Sequence, residues 1–255
     1  MNGWLLAILV LASYLLGSVS FGRILSAKEK VDVTSQGSGN VGATNMLRTY
    51  GAKLGLLTLL LDLLKGVIPA MAGYFVFGGG LNMPESYIAL YSCGLGAVVG
   101  HIFPIYYKFK GGKAAATACG VFLIAQPVVA LCAFVLCVAL ACITQYVSPM
   151  SLLFILINVV WQNIFMPEFI VMQQFSLAVC LLSIAILVLV FFAHRQNIVR
   201  LLTGKERKTD IWGKIFKKDK KETINQNNTE VSHTENSQNT ENAKNNENIE
   251  NQKDD

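Results

Sequence analysis

The chain has 255 residues, of which 53% are hydrophobic and only 15% charged, with a formal net charge of +5 and a mean hydropathy of +0.47. That composition excludes an ordinary soluble domain. The charge is also segregated. Residues 1–204 hold 11 Lys/Arg and 5 Asp/Glu, whereas residues 205–255 hold 10 and 11, so an apolar body precedes a solvated tail.

The first apolar segment, 3–22, lacks a basic n-region and a small-residue cleavage site, and reads as a retained transmembrane helix rather than a signal peptide. Further apolar segments are predicted at 54–78, 86–107, 114–126, 128–147, 150–166 and 172–193, the later ones separated by Pro127, Pro149 and Pro167. A bilayer crossing needs about 20 apolar residues, and 114–167 contains no Asp, Glu, Lys or Arg at all. The predicted fold class is therefore all-α, a polytopic integral membrane helix bundle. Seven transmembrane helices are the preferred count. Five is the alternative if two pieces only dip into the bilayer, 114–126 being short for a crossing.

Basic residues fall in three regions: Arg23, Lys28, Lys30, Arg48 and Lys53; then Lys108, Lys110 and Lys113; then Arg195, Arg200 and Lys205. The other connections carry Glu85 and Glu168. By the positive-inside rule the three basic regions face the cytoplasm. Seven or five spans then put the N-terminus outside and the C-terminus inside, and six does not fit. Three divisions follow: a membrane body over 1–206, a basic juxtamembrane segment over 207–221 with Trp212 and Phe216 set against anionic headgroups, and an Asn/Glu-rich tail over 222–255 that reads as disordered. Cysteines 93, 119, 132, 137, 142 and 180 lie in apolar runs and read as small hydrophobes rather than as a zinc set or disulfide framework.

The polar material of the body is concentrated in those same basic regions. The first reads SQGSGNVGATNMLRTYG, in which Gly37 and Gly39 let backbone N–H groups approach an anion, Ser38, Asn40, Thr44 and Asn45 add neutral donors, and Arg48 adds a charged fork. A Gly/Asn turn leading into a capped helix is the competing reading of that stretch taken alone. The second region sets Gly111, Gly112 and Lys113 before an Ala-rich helix start, an anion site without the Walker A pattern, or simply a positive-inside loop. The third, HRQNIVRLLTGKE, spaces His194, Asn197 and Arg200 at i, i+3 and i+6, which is also how interfacial residues look. Asp62 and Lys65 interrupt an apolar helix three residues apart and read as a mutual salt bridge supporting the site, because charges at membrane depth are costly and pair. Together the loops suggest one cytoplasmic pocket for a phosphorylated ligand. Carboxylates are too few in these loops to hold a divalent metal, so no metal and no cofactor is expected.

At this point the chain resembles the acyl-phosphate-dependent glycerol-3-phosphate acyltransferases (PlsY family) over residues 1 to about 206. The resemblance is carried by GSVSFGRILS (17–26), GSGNVGATNMLRTYG (37–51), LDLLKGVIP (61–69), GHIFPIYYKFKGGKAAAT (100–117) and HRQNIVRLLTGKE (194–206). It implies a seven-helix membrane enzyme of bacterial phospholipid synthesis that moves an acyl chain from acyl phosphate to the 1-hydroxyl of glycerol 3-phosphate, releasing lysophosphatidate and phosphate. It implies catalytic roles for Ser38, Arg48, His194 and Asn197, substrate contacts from Gly37, Gly39, Asn40, Thr44, Asn45, Gly111, Gly112 and Lys113, and a structural role for Glu206. The implied partners are the two substrates and the lipid bilayer, with the soluble enzyme that makes acyl phosphate as a candidate and no nucleic acid. The family often has Pro, Arg and Gly where Ser20, Thr34 and Ala114 stand.

One absence agrees. None of His101, His194 or His233 is followed five residues later by Asp, the pair that thioester-using enzymes need to orient a histidine base. The alternative function is a transporter or channel for an organic phosphate. It is disfavoured because little polarity lies at the midplane beyond Asp62 and Lys65, and no inverted repeat of broken helices is evident.

Overall fold

A computed structural model of the chain describes residues 2–29, 32–78, 84–165, 177–211 and 213. Lys30, Pro167, Glu168, Trp212, Phe216 and the 222–255 tail of the sequence reading lie outside those residues.

The described residues form α-helices joined by turns and by longer loops. α1 (Gly3–Gly17) is started by Asn2, whose side-chain oxygen accepts from the backbone of Trp4 and Leu5. It breaks at Ser18–Ser20 before α2 (Phe21–Ser26). α3 (Ala43–Tyr50) ends at Gly51, whose φ of 86° lets the chain turn at once into α4 (Ala52–Gly78). Then come α5 (Pro84–Ile102), α6 (Ala115–Ala125), α7 (Pro127–Thr144) and α8 (Val147–Val160), the last continuing into a π-helical turn over Trp161–Phe165. α9 (Leu177–Ala193) bends by 60° at His194 into α10 (Arg195–Leu202).

Among the described residues, five stretches are long and apolar enough to cross a membrane, or six if the bent α9–α10 pair counts as one. α6 is not among them. Its 11 residues span only about 16 Å, and Pro127, which cannot donate a backbone bond, starts α7 directly after it. The turn is held from inside the bundle, where the Gln126 amide donates to the Asn158 carbonyl and side-chain oxygens, both at 2.9 Å.

α5 sits centrally, packed against α1, α4, α6 and α9. No hydrophobic force separates helix from lipid, so close van der Waals packing must hold such a bundle. α4 and α6 show how: a Cβ on Gly66 would strike the Thr117 carbonyl, and one on Gly120 would strike the Leu63 carbonyl. Leu, Val, Phe and Ile side chains on the outer faces stay exposed, as at Leu60, Ile68, Leu131, Val135, Leu181 and Val188. Lipid is the solvent those faces suit.

The connections that carry the basic residues meet one another. Tyr14 at the end of α1 donates to the Phe103 carbonyl at 3.0 Å, and Arg23 in α2 donates to the Lys110 carbonyl at 3.2 Å. Thr209 donates its backbone N–H to Gln145 after α7 at 2.8 Å. Residues 207–209, assigned by the sequence to the juxtamembrane segment, thus pack onto the body.

Candidate active site

The first polar loop is folded around Asn45. Standing in the first turn of α3, Asn45 donates its amide to the Val33 carbonyl (3.2 Å) and the Gln36 carbonyl (3.1 Å), while its oxygen accepts from the Ser38 backbone at 2.9 Å. The loop must bend tightly to present three such groups, and Gly37 does so at φ 57°, where a Cβ would strike the Asn45 oxygen. Asn40 closes the next turn by accepting from Gly42 at 3.0 Å. Asp32 caps the preceding 3₁₀ turn through Thr34, whose backbone and hydroxyl donate at 2.9 and 2.7 Å and hold the carboxyl below its ordinary value. Gly39 turns at φ 71°. The hydroxyls of Ser38 and Thr44 take no partner among the described residues.

At the far end of α3, Arg48 donates from Nε to Thr209 Oγ1 at 2.7 Å and from Nη2 to the Arg207 carbonyl at 2.8 Å. A guanidinium has five N–H donors, so three remain for a ligand.

The second and third loops meet beside it. Lys113 donates to Asn197 Oδ1. The Asn197 amide nitrogen donates in turn to Ser148 Oγ at 2.6 Å and Glu206 Oε1 at 2.7 Å. Ser148 also donates to Glu206 Oε1 at 2.7 Å, and Arg200 Nε lies 3.2 Å from Glu206 Oε2. Asn197 therefore has both ends of its amide engaged by protein, whereas the Lys113 ammonium keeps two of three donors free. Burial pushes the Glu206 carboxyl up, but hydrogen bonds from Ser148, Asn197 and Arg200 together hold it below its ordinary value. Lys113 is pulled down to about 8, first by burial and then by the like charges of Arg200 and Arg48, against the pull of Glu206. Three cations around one carboxylate leave a net positive, partly dehydrated site, which suits a phosphate dianion.

His194 stands at the α9–α10 bend, buried, with Nδ1 2.8 Å from the Val190 carbonyl. The tautomer that donates from Nδ1 leaves Nε2 with an acceptor lone pair. Asn197 lies in the first turn of α10 and donates its backbone to the His194 carbonyl at 2.8 Å.

The Gly111–Gly112–Lys113 loop carries unusual backbone. Lys108, Phe109 and Ala114 all have positive φ, at 52°, 59° and 57°. Ala114 is the residue before α6 and has the conformation a glycine would adopt without strain, which accounts for the glycine the resembling family often has there. Asp62 and Lys65 form the salt bridge that their spacing predicts, at 3.0 Å and buried on both sides, and Lys65 also donates to the Val19 carbonyl at 2.9 Å.

The structure thus joins Arg48, Lys113, Asn197 and Glu206 in one cluster, places His194 at its edge, and couples the loop of Ser38 to it through α3. Sequence reasoning missed Ser148, Thr209 and His101. The signal for Ser148 was a polar residue beside Pro149 at the loop end of an apolar helix. Among the described residues, no three His, Cys, Asp or Glu side chains stand close enough to hold a metal ion.

Comparison with known proteins supplies the family. The glycerol-3-phosphate acyltransferase family model matches residues 7–204. A glycerol-3-phosphate acyltransferase of Halalkalibacterium halodurans is 41% identical over 207 residues, covering 81% of this chain and 95% of the relative. That of Aquifex aeolicus is 38% identical over 200 residues, covering 78% and 97%. Among solved structures, PlsY, an integral membrane glycerol 3-phosphate acyltransferase, matches in its glycerol 3-phosphate form with a TM-score of 0.69 at 36% identity, covering 83% of this chain and 98% of that one. Its lysophosphatidic acid form matches with a TM-score of 0.66 at 37% identity, covering 80% and 94%. The chain belongs to the glycerol-3-phosphate acyltransferase family and is an integral membrane acyltransferase.

Proposed function

We propose that this enzyme transfers the acyl group of an acyl phosphate to the 1-hydroxyl of sn-glycerol 3-phosphate. The acceptor oxygen bonds to the acyl carbon, the bond from that carbon to the phosphate oxygen breaks, and the products are lysophosphatidate and inorganic phosphate. The observation that carries this reading is the cation set of Arg48, Lys113 and Arg200 around the single carboxylate of Glu206, with donors left over at the first two. The naming of PlsY structures for glycerol 3-phosphate and lysophosphatidic acid supports the acceptor and the product.

Arg48 and Ser38 hold and orient the acceptor. Gly111, Gly112 and Lys113 take the donor phosphate, with Asn40 and Thr44 lining the first loop. Asn197 fixes Lys113, and Glu206 fixes Asn197. Positive charge fixed in place before reaction stabilises the negative charge that develops as phosphate leaves. Acyl phosphate is an activated donor, so its own phosphate takes the acceptor proton and His194 need not serve as the base. His194→Gln should then lower turnover without adding a pH-dependent step. The loop end faces the cytoplasm because Arg23, Lys28, Arg48, Lys53, Lys108, Lys110, Lys113, Arg195, Arg200 and Lys205 all lie in its three loops, and seven traversals, the short α6 counted with the six longer stretches, put the N-terminus outside.

The test uses purified protein in detergent with palmitoyl phosphate, glycerol 3-phosphate and a chelator. Lysophosphatidate and phosphate should appear in equal amounts. No product, together with uptake of glycerol 3-phosphate into proteoliposomes, would instead mark a transporter.

A further inference from the structure

One buried polar group near the site, His101, belongs neither to the loops nor to the cation cluster. It is buried in the last turn of α5. Its Nδ1 lies 3.3 Å from Thr117 Oγ1 of α6 and 3.8 Å from Asp62 Oδ1 of α4. Asp62 is in turn paired with Lys65, which reaches the Val19 carbonyl at the α1–α2 break. The imidazole of α5 is therefore hydrogen-bonded to α6, with the Asp62 carboxylate of α4 beside it but beyond hydrogen-bond distance.

The same residue touches the second loop directly. Gly112 donates its backbone N–H to the His101 carbonyl at 3.0 Å. A Cβ on Gly112 would strike His101 Nε2, and one on Gly111 would strike the His101 carbonyl oxygen. Both glycines therefore lie flat on His101, and the next residue is Lys113. The imidazole is the floor on which the loop rests, and its lateral position is set by the hydrogen bond to Thr117.

We propose that His101 is a positioning residue of the acyl transfer, holding the Gly111–Gly112 backbone so that the Lys113 ammonium meets substrate phosphate. This rests on the reading of Lys113 as a phosphate ligand. The phosphate already carries most of its charge in the ground state, so a slack loop loosens binding first. Loss of His101 should raise KM for one substrate by a larger factor than it lowers kcat.

The full chain is assayed in detergent with palmitoyl phosphate and glycerol 3-phosphate, each varied against saturating partner. Lys113→Met identifies which substrate depends on the ammonium. His101→Leu should raise KM for that same substrate about tenfold, the scale of a lost contact to a charged group. His101→Asn restores a polar group near the Nδ1 position and should recover most of that loss. Thr117→Val, which removes only the hydroxyl facing Nδ1, should raise KM in the same direction by a smaller factor. Should His101→Leu fail to fold, His101→Asn and Thr117→Val carry the test, with KM raised in Thr117→Val and near wild type in His101→Asn as the expected result. If Lys113→Met raises a KM and the His101 and Thr117 variants leave it unchanged, or lower kcat alone, the inference is overturned by itself. If Lys113→Met changes neither KM, the substrate reading and the inference fall together.

Discussion

Raising the pH should switch off substrate capture well before ordinary lysine chemistry would allow it. Lys113 is held down to about 8, against an ordinary 10.5, by burial and by the cations Arg200 and Arg48. At pH 9 only about one free enzyme molecule in ten then carries the charged form, and each further pH unit removes another factor of about ten. The ratio kcat/KM reports the free enzyme and free substrate, so it should fall about tenfold per unit above pH 8. On the acid side a phosphate monoester gains its second charge near pH ~6. The profile should be a bell with its plateau between these limbs. In the substrate complex the bound dianion favours the ammonium, so kcat should hold to higher pH than kcat/KM.

Stability runs the other way, and this separates capture from unfolding. Lys113 binds its proton more weakly in the folded than in the unfolded chain. Between about 8 and 10.5 the unfolded chain therefore holds more protons, and the contribution of this group to stability rises with pH. Activity lost at pH 9 should accordingly come without a drop in melting temperature traceable to Lys113. Lys113→Arg keeps its charge at every working pH and should erase the alkaline limb. Glu206→Gln removes the one anion that raises Lys113 and should move the limb to lower pH. A wild-type limb lying above pH 10, or one that persists unmoved in Lys113→Arg, would refute the reasoning.

Ala114→Gly should relieve the left-handed strain at φ 57°, worth about 1–2 kcal/mol. Set against the roughly 0.5–1 kcal/mol that a glycine costs in the unfolded chain, the net gain is small, and a raised melting temperature in detergent checks its sign. Asp62→Ala leaves the Lys65 ammonium buried without its partner and should cost about 3–5 kcal/mol, whereas the double change Asp62→Leu with Lys65→Met should recover most of that; thermal melts of both decide, and equal losses would count against it. Asn45→Ala removes three hydrogen bonds from the first loop, each worth about 1 kcal/mol, and should raise KM for glycerol 3-phosphate with a lowered melting temperature. A normal KM would mean the loop holds its shape without Asn45.

Which of these features the sequence could disclose depends on the range of the interaction behind them. The apolar segments are legible because immersion in hydrocarbon acts on every residue locally, and each predicted run contains a helix in its described part, though 3–22 spans the break at Ser18–Ser20 and 86–107 runs past the end of α5. Prolines were a poorer guide. Pro127 does start α7, but Pro149 sits inside the first turn of α8 and Pro69 inside α4, where neighbouring helices and side chains can satisfy what the ring disrupts. The site was legible as a set of polar residues in an apolar chain and illegible as a set of contacts. Lys113 and Asn197 are 84 residues apart, Arg48 and Thr209 161 apart, and nothing local in GGK or TNMLRT announces the partner. Local chemistry also cannot separate a residue that shapes a loop from one that meets a ligand, because both jobs use Asn, Ser and His. The separation appears only when the donors are accounted for in space. Asn45 and Asn197 have committed their amides to protein, and His101 has its carbonyl committed to Gly112 and its Nδ1 to Thr117. Ser38, Arg48 and Lys113 retain donors. On that accounting we propose that the asparagines act on substrate through the groups they hold, and that the recognition of phosphate falls to the residues that remain unspent.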